Sequence, residues 1–351
     1  MINKRISESI LTISCAYNPP KGGIAQVVYT YSQEVYPIFK SVVNSKSGKL
    51  RNLWYAIIGL IKTLWVLLYD KQIKIVHIHT ASRNSFYRSM YFVRLAHLFQ
   101  KKIVLHVHGG GFKEFYKTNK IRIKKDLQKV DVVVALTDSW ENFFRNEIGL
   151  SNVDVVCNIV SQPQIASLER KDGLLHFLFL GFILEQKGIF DLLEMINEHK
   201  NELEGKIILH VGGNHEVERL KSYVSNHKLE NIVNYEGWVS GQKKIDLLNL
   251  MDAFILPSYI EGFPISILES FSYGKPVFTT PVGGIPEMVN ETNGYLFQPG
   301  DKIAMFEKIN YVINNPETLV EKGQAARRVI SNNLPNEVAI KLTTIYNKLL
   351  F

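Results

Sequence analysis

At 351 residues, 46% of them hydrophobic and 21% charged, the chain is long enough for two domains with sizeable cores and has the composition of a folded globular protein rather than a disordered one. Its two cysteines, Cys15 and Cys157, make neither a disulfide framework nor a metal-ligand spacing, which suits a reducing cytosol. The net charge of +8 is unevenly divided: residues 1–170 hold 24 Lys and Arg against 11 Asp and Glu, and residues 171–351 hold 17 against 22. A basic first half points to an anionic partner, and without a basic stretch interleaved with aromatics of a nucleic-acid-binding kind, anionic lipid or a phosphorylated acceptor is favoured over nucleic acid.

Lys4 and Arg5 ahead of Ile10 to Ala16 imitate a leader peptide, but Glu8 and several hydroxyls interrupt the run, and Ile10 to Ser14 reads as a first strand. The loop that follows carries Gly22 and Gly23 ahead of a helix beginning near Ile24, a place where backbone can approach a phosphate or sugar. Leu53 to Tyr69 is apolar enough to suggest a membrane span, yet Lys62 lies at its centre and Asp70-Lys71 closes it. It reads as a core or membrane-touching helix, and Lys46, Lys49 and Arg51 before it suit a lipid interface. After the strand Ile73 to His79, a polar loop places Arg83 and Arg88 where guanidinium groups can hold an acceptor phosphate; solvated charges at a helix start are the alternative. The strand Lys102 to His106 runs into Val107-His108-Gly109-Gly110-Gly111, where glycines invite close ligand approach to His108. Lys113 to Lys129 alternates cations with apolar residues and reads as a membrane-surface face or a solvated helix. The strands Asp131 to Leu136 and Val153 to Cys157 complete a sheet, and the polar, proline-containing stretch from Ser161 to Asp172 reads as a linker.

The second half opens with the strand Leu174 to Leu180 and the loop Gly181 to Gly188, which includes Lys187. Lys206 to Val211, Ile232 to Trp238 and Ala253 to Leu256 continue the alternation of strand and loop. Pro264 stands where a first helical residue would, so Glu261 lies in the preceding loop and Glu269 on the helix. Two carboxylates so placed can both reach a ligand above the helix N-terminus, whose free N–H groups attract phosphate. Val277 to Thr280 reads as a further strand, and from Asp301 onward the chain is helical, with Pro316 and Pro335 at helix starts.

The segments Leu256-Pro257-Ser258, Glu261-Gly262-Phe263-Pro264, Leu268-Glu269, Gly274-Lys275-Pro276-Val277 and Val282-Gly283-Gly284-Ile285-Pro286-Glu287 resemble the paired-glutamate signature of the family-4 retaining glycosyltransferases. The resemblance covers nearly the whole chain and is strongest from Gly181 to Glu287. It implies the GT-B architecture, an α/β fold of two doubly wound Rossmann-like domains facing across a cleft. The expected divisions are an acceptor-side domain over 1–160, a linker over 161–172, a nucleotide-sugar domain over 173–333 and a final helix over 334–351 that crosses back to the first domain. It implies that Glu261 holds donor-sugar hydroxyls, Glu269 the ribose, and Lys187 the diphosphate, with Gly181, Gly262 and Phe263 around it. It further implies a glycine-loop role for Gly22 and Gly23, and a place for His108 beside the transferred sugar.

One departure stands out, because Phe182 occupies the position where the family places a diphosphate-binding arginine. The expected partners are a nucleotide-sugar, of UDP type, a lipid-linked saccharide acceptor and an anionic membrane surface, with no nucleic acid. No metal or other cofactor is expected, since neither an Asp-x-Asp motif nor a His/Cys cluster demands one. The expected location is cytoplasmic, on the inner face of the cell membrane, in surface polysaccharide synthesis. A sugar-nucleotide epimerase of the same fold and a non-catalytic partner subunit are the alternatives.

Overall fold

A computed structural model describes residues 1–46, 48–166 and 172–351. Within them the chain forms two compact units, one of residues 1–161 and 332–351, the other of residues 162–331. Residues 167–171 of the expected linker, and the side chain of Lys49, lie outside the described residues.

The first unit holds six parallel strands: β1 (Ile10–Cys15), β2 (Lys40–Ser45), β3 (Ile75–Thr80), β4 (Lys102–Val107), β5 (Val132–Ala135) and β6 (Val153–Val155). Their order is β2-β1-β3-β4-β5-β6. β4 and β5 are nearly continuous apolar runs because helices cover both faces of a parallel sheet, so no polar alternation is needed. β2 has no counterpart in the sequence reading: Lys40-Ser41-Val42-Val43-Asn44-Ser45 is too polar to stand out, and only pairing with Leu11 to Cys15 makes it a strand. The helix that follows is Lys49–Tyr69, four residues longer at its start than the apolar run suggests.

Lys113 to Lys129 departs from the single amphipathic surface expected. It breaks at Asn119 into the helices Phe112–Thr118 and Lys120–Leu127. Phe115, Tyr116, Ile123 and Leu127 are buried in the core of the unit. Those four side chains are committed inward, while Ile121 stands exposed among the lysines. The final helix, Pro335–Leu350, belongs to the first unit, where Tyr346 is buried and bonds to His77 Nδ1 at 2.6 Å.

The second unit repeats the design with β7 (Leu175–Leu180), β8 (Ile207–Gly212), β9 (Val233–Gly237), β10 (Ala253–Leu256), β11 (Val277–Thr279) and β12 (Gly294–Leu296) in the order β12-β11-β10-β7-β8-β9. The helix after β10 is Ile265–Ser272, with Pro264 in extended conformation at its N-cap rather than inside the first turn.

Candidate functional site

Strand order decides where each sheet can hold a ligand. In the second unit the chain builds outward from β7 through β8 to β9, then returns to the other side of β7 with β10, β11 and β12. The order therefore reverses between β7 and β10, and the crevice outside the carboxyl ends of those two strands is the natural ligand position of an open parallel sheet. Two loops meet there. The turn after β7 ends in Lys187 and Gly188, and Gly188 adopts φ +66°. A Cβ on Gly188 would stand 2.0 Å from the Pro257 carbonyl oxygen, so only glycine lets the two loops press together. Tyr259 N–H donates to the Gln186 carbonyl at 3.0 Å across the same junction.

This contact brings Lys187 Nζ to 2.5 Å from Glu261 Oε1, and Ser258 Oγ donates to the same oxygen at 2.9 Å. The Glu261 side chain is only 9% exposed, so its charge depends on these two donors. The loop after β11 clasps it from behind. Gly284 N–H donates to Gly262 O at 2.7 Å, and at Gly283 a Cβ would lie 2.0 Å from Glu261 O. One turn into the following helix, Glu269 meets Lys244 Nζ at 2.5 Å, a cation supplied by the helix Gly241–Leu250. Phe263 is buried and Gly262 half-buried between the two glutamates, and no side chain caps the helix that begins at Ile265. Gly181, at the end of β7, faces Gly213 so closely that a Cβ on Gly213 would sit 2.0 Å from its carbonyl oxygen.

Phe182 packs its ring on His215 with centroids 4.4 Å apart, and His215 is held at φ +92°, a backbone conformation that non-glycine residues seldom adopt. Lys187, Glu261, Gly262, Phe263 and Gly181 thus lie on the loops after β7 and β10, with Glu269 on the helix that follows β10. Ser258 and Gly283 belong to the same surroundings and lie in segments of the signature, whereas Lys244 comes from a helix with no motif of its own and was invisible in the sequence.

In the first unit the reversal falls between β1 and β3. Gly22, at φ +109°, and Gly23 start the helix after β1. Arg83, exposed and at φ +55°, starts the helix after β3. Arg88, one turn further on, is half-buried with its Nε unbonded, and its charge acts on the Cys15 thiol at the end of β1, whose pKa burial pushes up to about 11.

Beside them His77 and His79 on β3 stack with His106 and His108 of β4 and its loop, at centroid separations of 4.2 to 5.5 Å. Burial lowers His108 to about 4 and His77 to about 3, and holds His79 and His106 well below the usual imidazole range, so all four are neutral at pH 7. Asn158 Oδ1, 3.2 Å from His108 Nδ1, can only accept, so His108 carries its proton there and its Nε2 accepts from His79 Nδ1 at 2.9 Å. Both His108 nitrogens are therefore engaged within the unit. The ligating atoms of His77, His79 and His106 lie within 4.8 Å of one another, a set of neutral imidazoles of the type that holds zinc or nickel, though their rings lie nearly parallel instead of converging on one point.

Residues 161–329 match the family described as glycosyl transferases group 1. That stretch covers almost the whole of the second unit, residues 162–331. The crevice between β7 and β10 thus lies within the matched stretch. An uncharacterized glycosyltransferase of Methanocaldococcus jannaschii is 25% identical over 327 residues, 87% of this chain and 81% of that protein. An uncharacterized 41.2 kDa protein in the cps region of Klebsiella pneumoniae is 24% identical over 349 residues, 89% of this chain and 92% of its own. Among solved structures, Anabaena HepE in complex with UDP and glucose aligns with a TM-score of 0.73 at 16% identity, covering 97% of this chain and 98% of that one. At that identity the likeness is one of fold: two parallel α/β sheets of the GT-B kind.

Proposed function

We propose that the protein is a group 1 glycosyltransferase that moves a sugar, with retention of anomeric configuration, from a nucleotide-diphosphate donor of UDP type to a lipid-linked saccharide acceptor. The observation that carries the reading is the meeting of Lys187, Ser258 and Glu261 at the strand-order reversal of the glycosyltransferase domain. A relative encoded in a cps region supports a place in bacterial surface polysaccharide synthesis. The same reading puts the enzyme on the cytoplasmic face of the membrane and gives it no metal, because lysines and N–H groups suffice to meet the donor phosphates.

On donor binding, Lys187 turns from Glu261 to the diphosphate, and Glu261 takes the hydroxyls of the sugar in exchange. The N–H groups of Gly262 and Phe263 and the uncapped helix start add positive potential where the leaving group gathers charge. Glu269 takes the ribose hydroxyls once Lys244 releases it. In the transfer the bond from the anomeric carbon to the phosphate oxygen breaks with its electron pair leaving on the nucleotide, the bond to the acceptor oxygen forms on the same face, and the acceptor proton passes to the departing phosphate.

Isothermal titration with a panel of UDP- and GDP-sugars tests the reading. One donor binds, and Lys187→Ala weakens it about a hundredfold, the scale of losing a charge-assisted contact to phosphate. A folded protein that binds no donor overturns the proposal in favour of the non-catalytic partner subunit, for which Phe182 in place of an arginine is the specific argument. Turnover of the donor without acceptor points instead to an epimerase.

A further inference from the structure

The helix Lys49–Tyr69 presents an apolar surface that the transferase reading leaves unused. It contains no acidic residue over its 21 positions. Gly59, Thr63 and Leu67 recur every four residues and are buried on the inner side, where a Cβ on Gly59 would come within 2.9 Å of Val43 O. The inner side of the helix therefore packs against its own sheet. Its outer side is apolar as well. Leu53, Trp54, Ile57, Ile61, Trp65 and Leu68 follow helical spacing and are all exposed, Trp54 by 62% and Trp65 by 57%. An apolar groove of about 390 Å³ separates this ridge from the helix Asn84–Leu98, lined by Leu60, Leu64, Tyr91, Arg94, Leu95 and Leu98.

Monomeric proteins seldom leave such a patch bare. Charge identifies what covers it. Lys46, Arg51, Lys62 and Arg94 surround the ridge and are exposed, Lys71 lies at its far end, and the nearest acid, Asp70, is already paired with Lys40 at 2.6 Å. A second copy of the chain would bring these cations against one another, whereas anionic headgroups would neutralise them. Tryptophans flanked by cations on a helix lying in the plane are what an interfacial segment requires.

We infer that the helix Lys49–Tyr69 and the adjoining groove form a docking face for an anionic lipid bilayer, with Trp54 and Trp65 entering the interface, the flanking cations meeting headgroups, and the groove receiving an acyl chain. This deepens the transferase reading by naming the surface that would bring the enzyme to a lipid-linked acceptor. The helix's exposed apolar ridge is larger than that of the segment Lys113 to Lys129, where Phe115, Tyr116, Ile123 and Leu127 are buried and Ile121 is exposed.

Flotation of the full chain with vesicles tests it and needs neither donor nor acceptor, so a failed transferase reading leaves the result interpretable. The protein should float with phosphatidylcholine vesicles containing phosphatidylglycerol and not with phosphatidylcholine alone, with binding that weakens as salt rises. Brominated lipid should quench the fluorescence of Trp54 and Trp65, leaving that of the buried Trp140. The exposed-site variants Trp54→Ser with Trp65→Ser, and Lys62→Glu with Arg94→Glu, should each lower vesicle affinity about tenfold or more while the donor titration stays unchanged. Vesicle binding that survives in the tryptophan variant, or no binding by the parent protein, overturns the inference. So does a dimer in sedimentation that the tryptophan variant abolishes, which would assign the face to a second copy.

Discussion

At the carboxyl ends of the first sheet, His77, His79, His106 and His108 stack as neutral rings, whereas at the corresponding ends of the second sheet Lys187 faces Glu261 and Lys244 faces Glu269. The two sheets share strand number, parallel pairing and a reversal of strand order. They differ in the side chains that their strands, loops and helices carry. Burial has removed charge from the histidines, while in the second unit each lysine stands within hydrogen-bond distance of a carboxylate. Fold alone therefore does not make a phosphate site. The second unit holds cations that a bound anion can recruit, and the first holds hydrogen-bonding surfaces without formal charge along the histidine row.

Three changes sharpen that comparison. The largest effect is expected from Glu261→Gln, which keeps the shape but removes the charge that holds Lys187 and, in the proposed reaction, the hydroxyls of the sugar. Its kcat should fall about a hundredfold or more with the Tm little changed, on the scale of removing one preorganised polar contact from a transition state. A kcat within a few-fold of the parent value would break the assignment of Glu261.

Next comes acid. His108 and His77 accept protons more readily unfolded, near pH 6.5, than folded, near pH 4 and 3, so the unfolded state binds more protons as pH falls through that window. Stability is complete above about pH 6.5 and declines below it, by about 2–3 kcal/mol for His108 alone by pH 4. Thermal melts from pH 7 to pH 4 should show the Tm falling, and His108→Gln should flatten part of the decline. A Tm independent of pH over that range would mean that the histidine row is hydrated in the folded protein.

The smallest effect belongs to Phe182→Arg. A guanidinium beside Lys187 adds one more charged contact at the edge of the crevice, and donor affinity measured by titration should rise about three- to tenfold. Unchanged affinity would show that the stack on His215 points this position away from the donor.

Much of the second unit was legible in order along the chain. Ala253 to Leu256 announces a strand because four apolar residues sit between turn formers, and the loop with Glu261 and the helix with Glu269 follow from Pro257 and Pro264. Helix ends were less so. The helix Lys49–Tyr69 starts ahead of its apolar run because Lys49 to Asn52 complete a first turn that needs no hydrophobic residue. The strand Lys40–Ser45 was hidden for the opposite reason: its polar residues hold extended backbone only because β1 offers hydrogen bonds.

The amino-acid sequence by itself determined the alternation of strands and helices, the basic first half, and the placing of Lys187, Glu261 and Glu269 at strand ends, since these depend on local periodicity, charge and turn chemistry. Tertiary structure alone decided which side chains meet. It put Lys244 on Glu269 and Ser258 on Glu261, engaged both nitrogens of His108, turned Phe115, Tyr116, Ile123 and Leu127 inward, and left Leu53, Trp54, Ile57, Ile61, Trp65 and Leu68 of the helix Lys49–Tyr69 outward. Both of the latter segments mix cations with apolar residues. Which of them shows its apolar side to solvent depends on the space available over the sheet, a property of strand order and packing that no single stretch of sequence contains.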